Sequence, residues 1–178
     1  MGDSIENTES VQLTLGDLRM RAARLGQELH NLRHQRQQSA VVTIAPGENP
    51  ADYVATSVDE LNARIGELLK RVVTLNCIIA AENIKTREID GTQTSITVLL
   101  QTNKELRQEM MFMQRHANNM PRSRSFMAKN DLVNVATFAP SEAAVVAKDL
   151  KEQCAINSLL IDRLDQEVMV TVPAELLR

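Results

Sequence analysis

Residues 58–79, VDELNARIGELLKRVVTLNCII, contain apolar side chains at alternating steps of three and four residues, and this spacing is the clearest indication of the fold. These side chains are Val58, Leu61, Ile65, Leu68, Val72, Leu75 and Ile79. The spacing places them along one side of an α-helix that packs against another helix. The stretch therefore predicts a helical bundle or coiled coil, and it says nothing about activity.

Three further segments show the same rhythm, so the chain predicts four long helices at about 14–39, 57–89, 93–118 and 141–168. The seam of the first helix is Leu15, Leu18, Ala22, Leu25, Leu29 and Leu32. The third has Ile96, Leu99, Asn103, Leu106, Met110, Met113 and Ala117. The fourth has Ala143, Ala147, Leu150, Cys154, Asn157, Ile161, Leu164 and Val168. We expect a mostly α chain that folds as an antiparallel four-helix bundle.

Helix starts are predicted from side chains that can cap them. Thr14 with Asp17 is typical of an N-cap, and Ser57 with Glu60 forms a capping-box pattern. Ser141, after a proline, is the predicted cap of the fourth helix.

The connections between the helices predict the topology. A short turn at Asp90-Gly91 makes the second and third helices antiparallel neighbours. The long connections, 40–56 and 119–140, would then share one end of the bundle. Each contains a β-prone run, at 41–44 and 132–135, and the two runs either pair as short strands or form irregular loops.

The chain is predicted to be one domain, residues 14–172, between a flexible N-terminal tail, 1–13, and a C-terminal tail, 173–178. Valines alternate at positions 168, 170 and 172, which favours an extended segment after the fourth helix.

Composition narrows the function classes. Aromatic residues make up 2% of the chain, which fits thin cores between long helices, and the net charge of −3 offers no electrostatic case for nucleic acid or an anionic membrane. Residues 1–10 are polar and lack the pattern of a secretion signal, so we expect a cytoplasmic protein. Cys77 and Cys154 are expected to be buried free thiols.

The second helix carries an additional apolar face, and the third has a similar surplus. A continuous exposed apolar patch usually marks an interface. We therefore predict homo-oligomerisation, whereas a broader core covered by the fourth helix is the alternative. The predicted interface residues are Val73, Cys77, Ala80, Ala81, Ile84, Met111 and Phe112.

Two amides, Asn103 and Asn157, occupy seam positions. A polar residue in a seam costs stability and can fix register or oligomeric state. We predict that they are buried register pins, paired with each other or with Asn76 or Asn83; a ligand site built from these amides is the alternative.

Motifs that would indicate catalysis, a cofactor or a metal are missing from the sequence. His30 and His34 share a helix face, but a metal site would need a third ligand, for which Glu28 and His116 are the candidates. Two basic concentrations remain: five arginines in the first helix, and a loop around Arg122-Ser-Arg-Ser125 with Arg115 and Lys129. Both are interpreted as solvated charges, with an anion site or phosphorylation in the loop as the alternative.

Short motifs over residues 15–170 resemble a small, poorly characterised bacterial family of helical proteins, the septicolysin-like family. In chain order they are Leu75-Asn76, Glu82-Asn83, Asp90-Gly91, the Arg-Ser-Arg-Ser run at 122–125, Ile161-Asp162 and Gln166. The chain departs from the family pattern at Thr102-Asn103, where the family tends to have Arg-Asp, and it has no Asn-Trp near its end. The resemblance implies a helical, oligomeric, non-enzymatic protein and transfers no catalytic residue.

From these patterns we expect a non-enzymatic structural or assembly protein that forms a homo-oligomer, without catalytic residues, cofactor or metal. The alternative is a membrane-acting helical protein of cytolysin type, which would expose its apolar hairpin to lipid. Charged residues at the hairpin tip, Lys85, Arg87, Glu88 and Asp90, oppose that alternative because charge at membrane depth is costly. An enzyme whose site forms only between subunits is a third reading.

Overall fold

The computed structural model describes residues 9–120, 122–124 and 133–177. Within these ranges it contains four long helices, α1 (Leu15–Ser39), α2 (Val58–Ile84), α3 (Ile96–Ala117) and α4 (Pro140–Glu167). The prediction of a mostly α chain with four helices is confirmed.

Six short strands accompany the helices in the described ranges. They are β1 (Ser10–Thr14), β2 (Arg87–Ile89), β3 (Thr92–Thr94), β4 (Arg122–Arg124), β5 (Val133–Val135) and β6 (Met169–Pro173). They form three antiparallel pairs, β1 with β6, β2 with β3, and β4 with β5. Two short 3₁₀ helices, Pro50–Tyr53 and Ala174–Leu177, complete the elements.

The chain divides into two compact units. The first unit runs to Asn83 and takes in the C-terminal segment from Asp165, so it contains α1 and most of α2. The second unit is Ile84–Leu164 and contains α3 and most of α4. The single bundle of four helices, in one domain over 14–172, stays a prediction.

The core of the first unit is the predicted heptad seam. Leu29 and Leu32 of α1 pack with the α2 side chains Leu61, Ile65 and Leu68 in one buried cluster. Two partly buried apolar side chains, Leu25 of α1 and Val72 of α2, pack against this cluster. Burying a leucine or isoleucine side chain contributes about 1.5–3 kcal/mol, so this short cluster is a large part of what holds α1 against α2.

The strands β1 and β6, which are far apart in sequence, pair with each other in the first unit. In the β1–β6 ladder Ser10 lies opposite Pro173 and Thr14 opposite Met169. Val170 and Val172 are buried, while Met169 is exposed, which is the alternation of a half-buried strand. The predicted extended segment after α4 is confirmed. Residues 10–13, however, belong to β1 and not to a flexible tail, because they pair with β6 in an antiparallel ladder. Residues 1–8 lie outside the described part of the chain.

Local capping patterns predicted two of the helix starts correctly. The Thr14 hydroxyl accepts a hydrogen bond from the Asp17 N–H at 3.0 Å. Ser57 and Glu60 form a reciprocal capping box, with bonds of 3.1 and 3.2 Å. The prediction that Ser141 caps α4 is wrong: the helix already begins at Pro140, which suits a first position because it has no N–H to satisfy.

In the second unit, the predicted continuation of α2 to residue 89 is wrong. The helix ends at Ile84, and β2 and β3 form a hairpin around Asp90-Gly91. Both turn residues have positive φ, 50° at Asp90 and 80° at Gly91, as a two-residue hairpin turn requires. The predicted turn is confirmed. The third helix begins at Ile96, later than the predicted position 93, because β3 precedes it and the Ser95 hydroxyl accepts from the Val98 N–H.

A short antiparallel strand pair does occur in a long connection, but not between the two predicted runs. Val133–Val135 pairs with Arg122–Arg124 of the same connection. Residues 41–44 form no strand: Val42 and Ile44 are partly buried and Val41 is 82% exposed, but no described strand pairs with this run. The predicted pairing between the two loops is therefore wrong, and Leu132 lies outside the described residues.

Candidate interaction surface on the second helix

The outward side of α2 carries a row of apolar side chains, which we call the outer stripe. It consists of Leu69, Val73, Cys77, Ala80 and Ile84, at steps of four, four, three and four residues. All five are exposed, with Val73 at 51% and Ile84 at 67%. At 1.5 Å per residue the stripe is about 22 Å long. It is a second row of apolar side chains on α2, and it is exposed to solvent.

The outer stripe is separate from the buried seam of the same helix. The 100° rotation per residue places it about 120° around the helix axis from Leu61, Ile65, Leu75 and Ile79, which are all buried. Helix α2 thus packs through one face and presents a second one to solvent. The predicted oligomer interface and the alternative of a broader core both stay predictions.

Each of the seven residues predicted for the interface is exposed. Ala81 lies beside the outer stripe on α2. Met111 and Phe112 of α3 are each about half exposed, at 51% and 52%. The Phe112 ring contacts the His116 imidazole edge to face, with 4.3 Å between the ring centroids. Cys77 was expected to be a buried thiol and is instead exposed, whereas Cys154 is buried as expected.

The two seam amides differ in their surroundings. Asn103 of α3 is 3% exposed, and its Nδ2 donates to the Ser158 hydroxyl of α4 at 3.3 Å. Its Oδ1 is buried without a hydrogen-bond partner in the described part of the chain. Asn157 is only half-buried. The structure therefore brings Asn103 together with Ser158, the residue next to Asn157.

Sequence reasoning missed Ser158 because a serine inside a helix usually bonds to its own helix backbone. Ser158 does this as well: its hydroxyl donates to the Cys154 carbonyl oxygen at 2.8 Å. Asn76 is exposed. The Asn83 Oδ1 accepts a hydrogen bond from Arg19 Nη2 at 2.6 Å, and both residues belong to the first unit.

Arg19 binds two other helices, so the prediction that the α1 arginines are solvated charges is wrong for this residue. Its Nε lies 3.0 Å from Asp165 Oδ1 of α4, while its Nη2 binds the Asn83 amide of α2. The guanidinium fork thus connects three helices within the first unit. Nothing in the local pattern could show this, since the partners are 146 and 64 positions away.

The histidine pair does not gather a metal site. The described residues include no group of three or more His, Cys, Asp or Glu side chains that could hold an ion. His30 and His34 instead line an open cavity with Arg33 and Arg36. Of the basic loop, Ser125 and Lys129 lie outside the described residues, so its role stays a prediction. Among the described helices, each is too short or too polar to cross a membrane.

Comparison with known proteins identifies the fold and no activity. Neither a protein-family model nor a curated protein matches the chain. A solved structure, described as a functionally unknown conserved protein from Corynebacterium diphtheriae, superposes with a TM-score of 0.70 at 16% identity. The match covers 90% of this chain and 99% of that one. The chain shares this fold with a bacterial protein, and the resemblance to the septicolysin-like family stays a prediction.

Proposed function

We propose that this chain is a non-enzymatic structural or assembly protein that forms a homo-oligomer through the outer stripe of α2. The observation that carries the proposal is the exposure of a complete second apolar seam, from Leu69 to Ile84. Exposed apolar rows of this length are costly to leave in water and mark interaction surfaces. The two cysteines of the chain, Cys77 and Cys154, are free thiols, which supports a cytoplasmic location.

A second copy of the chain fits the outer stripe through its residue sizes. The small residues Cys77 and Ala80 lie at the centre, with the larger Val73 and Ile84 on either side. Two such helices packed antiparallel about the centre would place Val73 of one copy opposite Ile84 of the other. The small central residues would let the backbones approach, and a two-fold pair needs this kind of self-complementary surface.

Charge also favours a like partner. The five stripe residues are uncharged, so two copies would bury no unpaired ion when they meet. From Val73 to Ile84 the steps of four, three and four match the heptad spacing of helices that pack knobs into holes, and Leu69 lies beside this register. Heptad geometry and neutrality together support the association of one α2 with another.

Light scattering tests this proposal directly. At micromolar concentration the wild-type protein is expected to show a multiple of 19.9 kDa. Val73→Asp should shift it towards the monomer, because the new carboxylate would be buried without a partner, at a cost of several kcal/mol. Ile84→Asp should act in the same direction.

Thr74→Asp is the matched control. Thr74 is exposed on the same helix but about 100° around from Val73, so the new carboxylate stays in solvent and the mass should not change. A monomeric wild type over a wide range of concentrations contradicts the proposal. Equal effects of Val73→Asp and Thr74→Asp would move the interface away from the outer stripe.

A further inference from the structure

An open cavity of about 600 Å³ lies within the first unit, where the end of α1 meets the start of α2. Its polar lining consists of His30, Arg33, His34, Arg36, Gln37 and Asn62. The volume is in the range of small-molecule sites, which are commonly 300–1,000 Å³. Every one of these side chains carries an N–H group that can donate a hydrogen bond.

Helical spacing explains why the donors converge. Positions 30, 33, 34 and 37 follow the steps that place side chains on one face of a helix. Asn62 faces them from α2, and its Oδ1 accepts from Arg36 Nη1 at 3.0 Å. That bond holds the Arg36 guanidinium across the cavity and leaves other N–H groups of the fork for a ligand.

The cavity is locally positive although the chain is acidic. The lining contains two arginines and no carboxylate. Helix α1 as a whole has five arginines against two carboxylates, Asp17 and Glu28, while the complete chain has a net charge of −3. Non-specific attraction of anions therefore has no support from the overall charge.

Arg33 is available to a ligand. Within the part of the chain that the structure describes, it has no ion-pair or hydrogen-bond partner. A guanidinium fork matches phosphate and carboxylate oxygens in bidentate geometry. Two such forks at one cavity favour a ligand with more than one negative charge.

We propose that this cavity is a binding site for a small oxyanion with two or more negative charges, carried on phosphate or carboxylate groups. This site is independent of the outer stripe and goes beyond the proposed assembly function. The arginines supply charge and paired donors, while the imidazole and amide groups complete the hydrogen bonds around the anion.

Isothermal titration calorimetry with inorganic pyrophosphate and with citrate, at low ionic strength, tests the site. We expect saturable binding of at least one of them with a dissociation constant of about 1 mM or lower. Arg33→Gln should raise that constant about tenfold, since it removes one charge-assisted pair of hydrogen bonds. Binding of pyrophosphate alone would assign the site to phosphate, and binding of citrate alone to carboxylate.

Arg64→Gln is the control for simple charge. Arg64 is exposed on α2 and does not line the cavity, so the variant removes the same charge elsewhere and should bind as the wild type does. No saturable binding of either anion up to about 10 mM would overturn the proposal, since such contacts would be weaker than a specific site provides. Equal losses in the Arg33 and Arg64 variants would overturn it as well.

Discussion

At the residue scale, the only tyrosine of the chain reports on the long connection between α1 and α2. The pKa of Glu48 is lowered, first by the hydrogen bond from the Tyr53 hydroxyl and then by the Ala45 N–H, which lies 2.9 Å from Oε2. The same carboxylate raises the pKa of Tyr53, because ionising the phenol would place two negative charges together. This pair stabilises the turn before the 3₁₀ helix.

The signs define a pH window for this pair. Because the pKa of Glu48 is lowered, this carboxylate contributes to the stability of the folded state above the ordinary carboxyl pKa, and the contribution is lost as the pH falls through the lowered value. Because the pKa of Tyr53 is raised, the phenol contributes to stability below its ordinary pKa, and that contribution is lost as the pH rises through the raised value. The hydrogen bond is therefore intact across the neutral range.

We predict that Glu48→Gln lowers the pH midpoint at which Tyr53 ionises, because the neutral amide no longer opposes the phenolate. The tyrosinate ultraviolet absorbance measures this midpoint, and a single tyrosine makes the assignment unambiguous. Tyr53→Phe serves as the blank. Equal midpoints in wild type and Glu48→Gln would show that the hydrogen bond does not form in solution.

Residue-level features were predictable where their cause is local. The Thr14 cap and the Ser57–Glu60 box each depend on partners three residues apart, so the sequence contains the whole interaction. Arg19 shows the opposite case. Its partners Asn83 and Asp165 are brought near only by tertiary structure, and no spacing rule distinguishes it from a solvated arginine.

At the element scale, the contact between α3 and α4 contains an amide that is only partly satisfied. Asn103 donates to Ser158 at 3.3 Å, which is long for a hydrogen bond, and its Oδ1 is without a partner among the described residues. A buried acceptor left without a hydrogen bond costs about 1–3 kcal/mol. The unpartnered Oδ1 therefore costs stability, while the role of Asn103 in fixing register stays a prediction.

We predict that Asn103→Leu maintains or raises the midpoint of thermal unfolding, since it replaces a poorly satisfied amide with an apolar side chain of similar size. Ser158 would still donate to the Cys154 carbonyl. The same variant should make the assembly less uniform, which light scattering would detect as a spread of masses. Asn157→Leu is the control, because Asn157 is only half-buried and should affect both properties less.

A large loss of stability in Asn103→Leu would contradict this prediction and would instead indicate a hydrogen-bond network that the protein cannot lose. Circular dichroism during heating separates the two outcomes. Comparing wild type and variant at one protein concentration is necessary because association itself stabilises the folded state.

Helices were predictable as elements, while their ends and the strands were less so. Periodicity fixed the buried side chains of α2, and Leu61, Ile65 and Leu75 are indeed buried. No glycine or proline separates the end of α2 from residues 85–89, so the pattern could not show that the helix stops and that β2 begins at Arg87. Val41 and its neighbours have β propensity, yet without a partner strand in the described part of the chain that propensity is not enough.

At the scale of the whole molecule, the heptads predicted that helix faces pack but not what they pack against. The spacing of apolar residues is the same in a helix face that packs against another helix of the chain and in one that packs against a second copy of the protein. The seam of Leu68 and the outer stripe of Val73 illustrate this, since one is buried and the other is exposed. The candidate surface was predictable as a surplus of apolar residues, but its exposure needed the structure.

The final prediction concerns stability and concentration. If two copies associate through the outer stripe, folding and association are linked, and the midpoint of thermal unfolding should rise with protein concentration. Val73→Asp should lower this midpoint at high concentration and make it nearly independent of concentration, because a variant that does not associate is not stabilised by association. Thr74→Asp should retain the dependence of the wild type, since its carboxylate faces solvent.

Differential scanning calorimetry over a hundredfold dilution would measure the effect. A constant midpoint in the wild type would show that the exposed side chains from Leu69 to Ile84 are tolerated by a monomer. A dependence that persists in Val73→Asp would place the contact between copies on another surface, such as the half-exposed Met111 and Phe112 of α3. The experiment thus distinguishes whether the copies associate from where they do so.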